Sequence, residues 1–373
     1  MSRLLHVADV HLEAPFGGFR REAEARQQEV LDAFRRLPEM AREHGAEALL
    51  IAGDLFDGPH PSESTIIAAR ETTRRLVEDG VAVFAVPGNH DALAMNPTLY
   101  EEALAGATVF TAPRFEAVKV RLGDTQAVVY GVAFDAAEVP DPISTFEKLD
   151  EEGLHVVVLH GAVPGAPHWE GGSALRLPLE SLAAMDVDYI ALGDHHRFRP
   201  PDEFPGQKSR ACYAGSFAAV DLSEVGPKGV ALIELREGEP PVVTLLPGGV
   251  REVSRADPFD VSPFESEVAV ADALGDSLGE SAFPLVTLTG EPTFPLDSDR
   301  IRARLEERFG CAGVDDQTRF FDPAWLEELA GENTIVGHVA RLGLERIEAA
   351  ATDEDRVAAE GGLRIALRLM EVS

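Results

Sequence analysis

Lysine is almost missing from this chain. Only Lys119, Lys148, Lys208 and Lys228 occur, so the 33 basic residues are nearly all arginine, and 65 acidic residues against them give a formal net charge of -32 over 373 residues. Such a charge opposes binding to a polyanion by the chain as a whole, because that binding draws on cations that release counterions. Contact with nucleic acid would have to be local, metal-assisted or supplied by a partner. A highly soluble acidic surface is the plainer reading of the same numbers.

Cysteine is scarce too. Cys212 and Cys311 stand far apart in sequence, which leaves no disulfide framework and no zinc spacing. No apolar run approaches the roughly 18 residues of a membrane span. The first apolar stretch is short and already contains Asp9 and His11, unlike a secretory leader. A cytoplasmic protein with no membrane contact is expected. An apolar content of 45% supports two or three domains with sizeable cores.

What the chain does contain is a repeated way of ending its apolar runs. "ALLIAGDLFD" carries Ala48 to Ala52 into Gly53-Asp54, with Asp57 three positions on. "LLHVADVHL" delivers Asp9 and His11, "VAVFAVPGNHD" delivers Asn89, His90 and Asp91, "LHVVVLHG" ends on His160, and "DVDYIALGDHHRFRP" ends on Asp194, His195 and His196. Runs rich in Val, Ile and Leu suit strands buried on both faces. In an open α/β sheet the residues just past the strands' carboxyl ends meet in one crevice. Five tips therefore predict one site.

The pattern between tips is strand, helix, strand, helix, strand up to Pro87, which predicts a parallel sheet with crossover helices. Glu22 to His44 reads as helical with a kink or restart at Pro38, and Glu63 to Asp79 as a second helix closed by Gly80. A short helix is expected around Leu99 to Leu104. After it come short alternating segments, "TVFTA", "FEAVKVRL", "AVVYGVA", "RACYAGS", "GVALIEL" and "PVVTLLP", which predict a second, more antiparallel sheet stacked on the first. The expected fold is α/β: a four-layer α/β/β/α sandwich over residues 1–252, a small α+β accessory or cap domain over 253–320, and a C-terminal helical segment over 321–373. On the last helix, Leu363, Ala366, Leu367 and Met370 form an apolar stripe for packing on the chain's own core, or for docking on a partner.

Asp9, His11, Asp54, Asn89, His160, Asp194 and His196 offer carboxylate, imidazole and amide donors without thiolates. That set suits Mn²⁺ or Fe²⁺, with Mg²⁺ as a further possibility, better than a structural zinc. Seven donors exceed the needs of one ion and fit two, which stand about 3.5–4 Å apart when they share a carboxylate. Asp54, alone at its tip, is the natural bridge. Each motif is weak evidence by itself; their joint order is the specific signal.

With "ADVH", "AGDLFD" and "PGNHD", the chain resembles the calcineurin-like metallophosphoesterases over roughly residues 3 to 230. The resemblance implies that Asp9 and His11 bind the first metal, Asp54 bridges, and Asn89 and His160 bind the second. It makes His90 the catalytic acid or charge stabiliser at the leaving oxygen, with Asp91 beside it, and a hydroxide formed at the ions the nucleophile. One block departs from the family pattern. Where G-H-x-H is usual, this chain reads Gly193-Asp194-His195-His196, so Asp194 stands at the second-metal position and His196 at the first, or else His195 coordinates and Asp194 supports it.

Within the family, "LLHVADVHLEAPF" and the wide gap between His90 and His160 resemble the DNA-repair exonuclease branch, SbcD-like and YhaO-like. That branch implies DNA as substrate, an SbcC-like coiled-coil ATPase as partner and a homodimer. Arg197 and Arg199, with His195, then Lys208 and Arg210, would give phosphate a positive lip. His168 reads as a surface or substrate-contacting residue. A metallophosphoesterase acting on a small nucleotide or phosphoester, and a non-cutting subunit that binds DNA ends for an ATPase, remain alternatives.

Overall fold

The computed structural model describes residues 1–134, 143–163, 175–204, 210–279, 282–292, 294, 296–318 and 323–370. His168 and Lys208 lie outside them. The described residues form two compact units, Met1–Val253 and Ser254–Ser373.

In the first unit the chain runs through β1 (Ser2–Val7), α1 (Ala23–Arg35), α2 (Leu37–His44), β2 (Ala48–Ala52), α3 (Glu63–Glu78), β3 (Ala82–Val86), α4 (Leu99–Ala103) and β4 (Thr108–Val109). β1 to β4 lie side by side and parallel. The helix break falls at Arg36 and α2 restarts with Pro38 in its first turn, where a missing N–H costs no hydrogen bond. Alternation sends Leu4, Ala8, Ala48, Leu50, Ala52, Phe84 and Val86 to one face, all part of one buried core. Leu5, Val7, Leu49 and Ile51, also buried, face the other way.

A second sheet is built from β5 (Glu116–Leu122), β6 (Thr125–Gly131), β7 (Leu154–His160), β8 (Tyr189–Gly193) and β9 (Ala211–Tyr213), with α5 (Leu179–Ala184) before β8. It is less antiparallel than the alternating texture suggested: only β5–β6 is antiparallel, while β6–β7, β7–β8 and β8–β9 are parallel. Nor does it take all the later segments. β10 (Gly229–Leu235) runs antiparallel beside β1, and β11 (Val242–Pro247) beside β10, so both extend the first sheet, as β4 does at its other edge. Burial explains β10's place, since Ala231, Ile233 and Leu235 join the core between the sheets. The outer face of the second sheet is covered, among the described residues, by Leu182 of α5 and by loop residues such as Ile143, Leu175 and Leu177.

His6 of β1 is fully buried in this interior, its Nδ1 2.9 Å from the Tyr189 hydroxyl of β8, so it ties the two sheets together. Burial pushes its pKa down to about 3. An unfolded histidine titrates near 6.5; between those values the unfolded chain binds the extra proton, and stability falls as pH falls. The expected slope attributable to His6 is about 1.4 kcal/mol per pH unit between pH 6 and 4. Comparing denaturant unfolding of wild type and His6→Asn across that window checks it; parallel pH profiles would contradict it.

β12 (Glu252–Arg255) straddles the boundary between the units. In the second unit, β13 (Phe259–Asp260), α6 (Glu267–Ser277), β14 (Ala282–Thr289), α7 (Ser298–Phe309) and β15 (Gly313–Asp316) share one core that includes Val270, Val286 and Ile301. α8 (Pro323–Gly331), α9 (Ile335–Glu348) and α10 (Asp353–Leu369) share another, in which Leu363 and Leu367 are buried with Leu326 and Ala340. Half of the apolar stripe thus packs on the chain itself, while Met370 stays 38% exposed. No helix among the described residues is long and apolar enough to cross a membrane.

Candidate metal centre

All five tips open on one rim. β2 and β3 touch β7, and β2 touches β8, so the carboxyl ends of parallel strands from both sheets come together. The turns that follow are laced by main-chain bonds: Asp9 N donates to Gly53 O (3.1 Å), His11 N to Asp54 O (3.1 Å) and Phe217 N to Asp9 O (3.2 Å). Asp9, His11, Asp54 and Asp194 all have positive φ, from 47° to 98°. Non-glycine residues hold that conformation only where their surroundings impose it, and such strain gathers at functional sites. The glycines beside them are needed for close approach. A Cβ on Gly88 would strike the Asp54 carboxylate, and one on Gly193 the carbonyl of Ala52.

The side chains converge accordingly. His160 Nε2 stands 2.9 Å from Asn89 Oδ1, 3.4 Å from Asp54 Oδ2 and 3.8 Å from Asp194 Oδ1, and its Nδ1 is 4.0 Å from Asp9 Oδ1. His11 Nε2 faces His196 Nε2 at 3.2 Å and lies 4.0 Å from Asp54 Oδ2. All seven residues read from the sequence as ligands therefore belong to one connected cluster. Asp9, His11, Asp54 and His160 are buried, while Asn89, Asp194 and His196 are half-buried. At the altered block, the Asp194 carboxylate enters the cluster, and the His195 ring packs edge-on against Tyr213 at 5.4 Å.

The donor set fits divalent cations. Among the described residues no Lys or Arg pairs with Asp9, Asp54 or Asp194; their charged neighbours are histidines. Three carboxylates this close, mostly out of water, need compensation. Each histidine has its far nitrogen engaged: His11 Nδ1 by Asp57 Oδ1 (3.0 Å), His196 Nδ1 by Glu224 Oε1 (2.7 Å) and His160 Nδ1 by the Ala52 carbonyl (2.9 Å). Such partners fix the tautomer and turn the Nε2 lone pair inward, as metal-binding histidines require.

The electrostatics of the cluster make the same demand. Burial favours the neutral acid at Asp54, but the charge and hydrogen bond of His160, with His11 and His90 behind, hold it well below the ordinary carboxylate range. Burial works against the His160 cation, yet Asp54, Asp9 and Asp194 raise its pKa well above normal. Asp194 is pushed up by burial and by its anionic neighbours, Asp9 and Asp54. With no cation bound, protons on histidine would balance the carboxylates; cation binding would displace those protons.

His90 is the exposed member, its side chain 44% accessible, with its ring edge-on to His11 at 4.8 Å. Its partner differs from the sequence reading. The Nδ1 of His90 lies 3.1 Å from the main-chain carbonyl of Asp57. Asp91 is fully buried, and its carboxylate accepts from Gly88 N (2.8 Å), Phe56 N (3.0 Å) and the Tyr100 hydroxyl (2.7 Å). Burial, then the charge of Asp54, raises its pKa to about 6. These contacts shape the loop that presents Asn89 and His90. Asp91→Ala would leave three buried donors unmatched, at about 1–3 kcal/mol each. The expected destabilisation is about 3 kcal/mol or more, read from the denaturant midpoint; a loss below 1 kcal/mol would contradict this role.

Among the described residues of the expected basic lip, Arg197, Arg199 and Arg210 each have a partner. Arg197, 70% exposed, pairs with Glu203 at 3.2 Å. Arg199 lies over the Phe204 ring at 4.3 Å and donates to the Glu203 carbonyl (3.1 Å). Arg210 donates to the main chain at Gly238 and Glu239. Sequence reading also passed over two carboxylates. Asp57 was visible three residues after Asp54 but carried no assigned role, and Glu224, in the loop before β10, sits in no motif.

The chain matches the family model described as calcineurin-like phosphoesterase over residues 2–198. It is 28% identical over 243 residues to the uncharacterized metallophosphoesterase YhaO of Bacillus subtilis, an alignment covering 63% of this chain and 58% of that protein. To the DNA double-strand break repair protein Mre11 of Haloferax volcanii it is 30% identical over 243 residues, covering 63% of this chain and 49% of the relative. To Mre11 of Halobacterium salinarum it is 26% identical over 317 residues, covering 83% and 75%. The chain thus spans about half the length of the first two.

Proposed function

The chain belongs to the calcineurin-like phosphoesterase family, and from that premise we propose that it is a two-metal phosphodiesterase that hydrolyses the DNA backbone, as a nuclease subunit in DNA repair. The carrying observation is the convergence of seven donors from five strand tips, with carboxylates that, among the described residues, have histidines and no Lys or Arg as ion-pair neighbours. Asp9, His11 and His196 would hold one ion, Asn89, His160 and Asp194 the other, and Asp54 both. The family uses a divalent pair; Mn²⁺ is the expected occupant, with Fe²⁺ or Mg²⁺ as substitutes. Such a pair clamps phosphoryl oxygens and lowers the pKa of an attacking water.

The chain's own residues do the rest. A carbonyl only accepts, so the Asp57 carbonyl fixes the proton of His90 on Nδ1 and leaves Nε2 to meet the substrate. Protonated there, His90 would deliver a proton to the leaving 3′ or 5′ oxygen. Relatives named as DNA double-strand break repair proteins support DNA as substrate. An SbcC-like coiled-coil ATPase, homodimerisation and a cytoplasmic setting belong to the same reading.

A second reading, hydrolysis of a small nucleotide or phosphoester, is favoured by the charge of -32 and by the engagement of Arg197 and Arg199 with Glu203 and Phe204. Mn²⁺-dependent cleavage of linear duplex DNA, measured beside bis(p-nitrophenyl) phosphate, separates the two. Shortening of the DNA supports the nuclease reading. Cleavage of the small ester alone, with any neighbouring coiled-coil ATPase supplied, overturns it.

A further inference from the structure

The loop between β9 and β10 contributes no residue to the cluster, yet it grips one ligand from several sides. Glu224 reaches His196 Nδ1 with Oε1 at 2.7 Å. Its other oxygen accepts from the Ser216 hydroxyl (2.8 Å) and from Lys228 Nζ (3.0 Å). Lys228, whose side chain is only 6% exposed, also donates to the Ser216 hydroxyl (2.9 Å) and to the main-chain carbonyl of His196 (2.6 Å). That carbonyl accepts from Ser216 N as well, at 3.0 Å. Both the ring and the backbone of His196 are thus held by one cation–carboxylate pair, its ammonium buried and its carboxylate half-buried.

This device is unequal between the two groups of ligands. His160 is oriented by a neutral carbonyl, whereas His196 is oriented by a carboxylate that is itself anchored by an ammonium. An anchored carboxylate cannot swing in to become a ligand, and it makes the imidazole a better donor. We propose that Glu224, held by Lys228 and Ser216, is the positioning residue for His196 and sets the affinity of the ion shared by Asp9, His11 and His196, leaving the other ion to its own ligands. The inference rests on the two-ion reading above.

The test is calorimetric titration of Mn²⁺ into metal-stripped full-length protein, with bound Mn²⁺ counted by electron paramagnetic resonance. Glu224→Gln keeps the volume but turns one of the two carboxylate oxygens into an amide nitrogen that only donates, so either His196 or the Lys228–Ser216 pair loses its acceptor. It is expected to weaken one ion by about 10–100-fold while the second keeps its affinity, and His196→Ala is expected to lose that same ion. If Glu224→Gln binds both ions as wild type does while His196→Ala loses one, the positioning role is overturned and the two-ion reading stands. If His196→Ala itself keeps both ions, His196 is not a ligand and the proposal is overturned; if the wild-type protein binds a single Mn²⁺, the two-ion reading falls as well. Parallel weakening of both ions by Glu224→Gln, with a lowered melting midpoint of the metal-free protein, would make Glu224 merely structural and overturn the proposal. Should Glu224→Gln not fold, Ser216→Ala decides: a several-fold loss confined to the same ion supports the proposal, and unchanged binding overturns it.

Discussion

Asp54→Asn is expected to lower Mn²⁺-dependent phosphodiester hydrolysis by about 10²–10⁴-fold while leaving the fold intact. The substitution keeps the volume of a 3%-exposed side chain and can still accept from His90 N through its amide oxygen, now 2.9 Å from the carboxylate. What it removes is the negative charge, together with the second oxygen that points toward His160 and His11. Charge stabilisation by a bound ion contributes several kcal/mol to such a reaction, and each 1.36 kcal/mol is a factor of ten in rate. Loss of the shared carboxylate should therefore cost both ions. Circular dichroism at an unchanged melting profile guards against a folding defect. Activity within about threefold of wild type would contradict the bridging role.

His90→Ala is expected to divide substrates by their leaving group. A deoxyribose oxygen leaves poorly without a proton, so DNA cleavage should fall by about 10²–10⁴-fold, the usual contribution of a positioned acid. p-Nitrophenolate leaves without help, so hydrolysis of bis(p-nitrophenyl) phosphate should fall by less than about tenfold. His90 is exposed and bonded through Nδ1 to the Asp57 carbonyl, so its removal should leave both ions bound. Equal losses on the two substrates would assign His90 to binding or charge stabilisation instead of proton delivery.

These expectations trace back to features that a single sequence displays unevenly. Strand tips were legible because burial on both faces forces an uninterrupted apolar run, and a polar donor at its end stands out, as with Ile51–Asp54 or Leu159–His160. The helix restart before Pro38 was legible because proline's missing N–H is a local property. Pairing was not. Nothing in "GVALIEL" says that Ala231 will lie against His6, since that choice depends on which sheet edge is open after the rest has folded. The same holds for roles within the site. Asp91 follows His90 in the chain, but the loop after β3 turns its carboxylate to Phe56, Gly88 and Tyr100. Glu224 reaches His196 from 28 residues away, a contact that no spacing rule encodes.

The central claim is that two cations are held side by side by groups from five strand tips. A crystal structure of Mn²⁺-loaded protein, read from anomalous scattering, tests it most directly. The account predicts two peaks about 3.5–4 Å apart, one within reach of Asp9, His11 and His196, the other of Asn89, His160 and Asp194, with Asp54 touching both. A single fully occupied peak, or ions bound away from these residues, would contradict it.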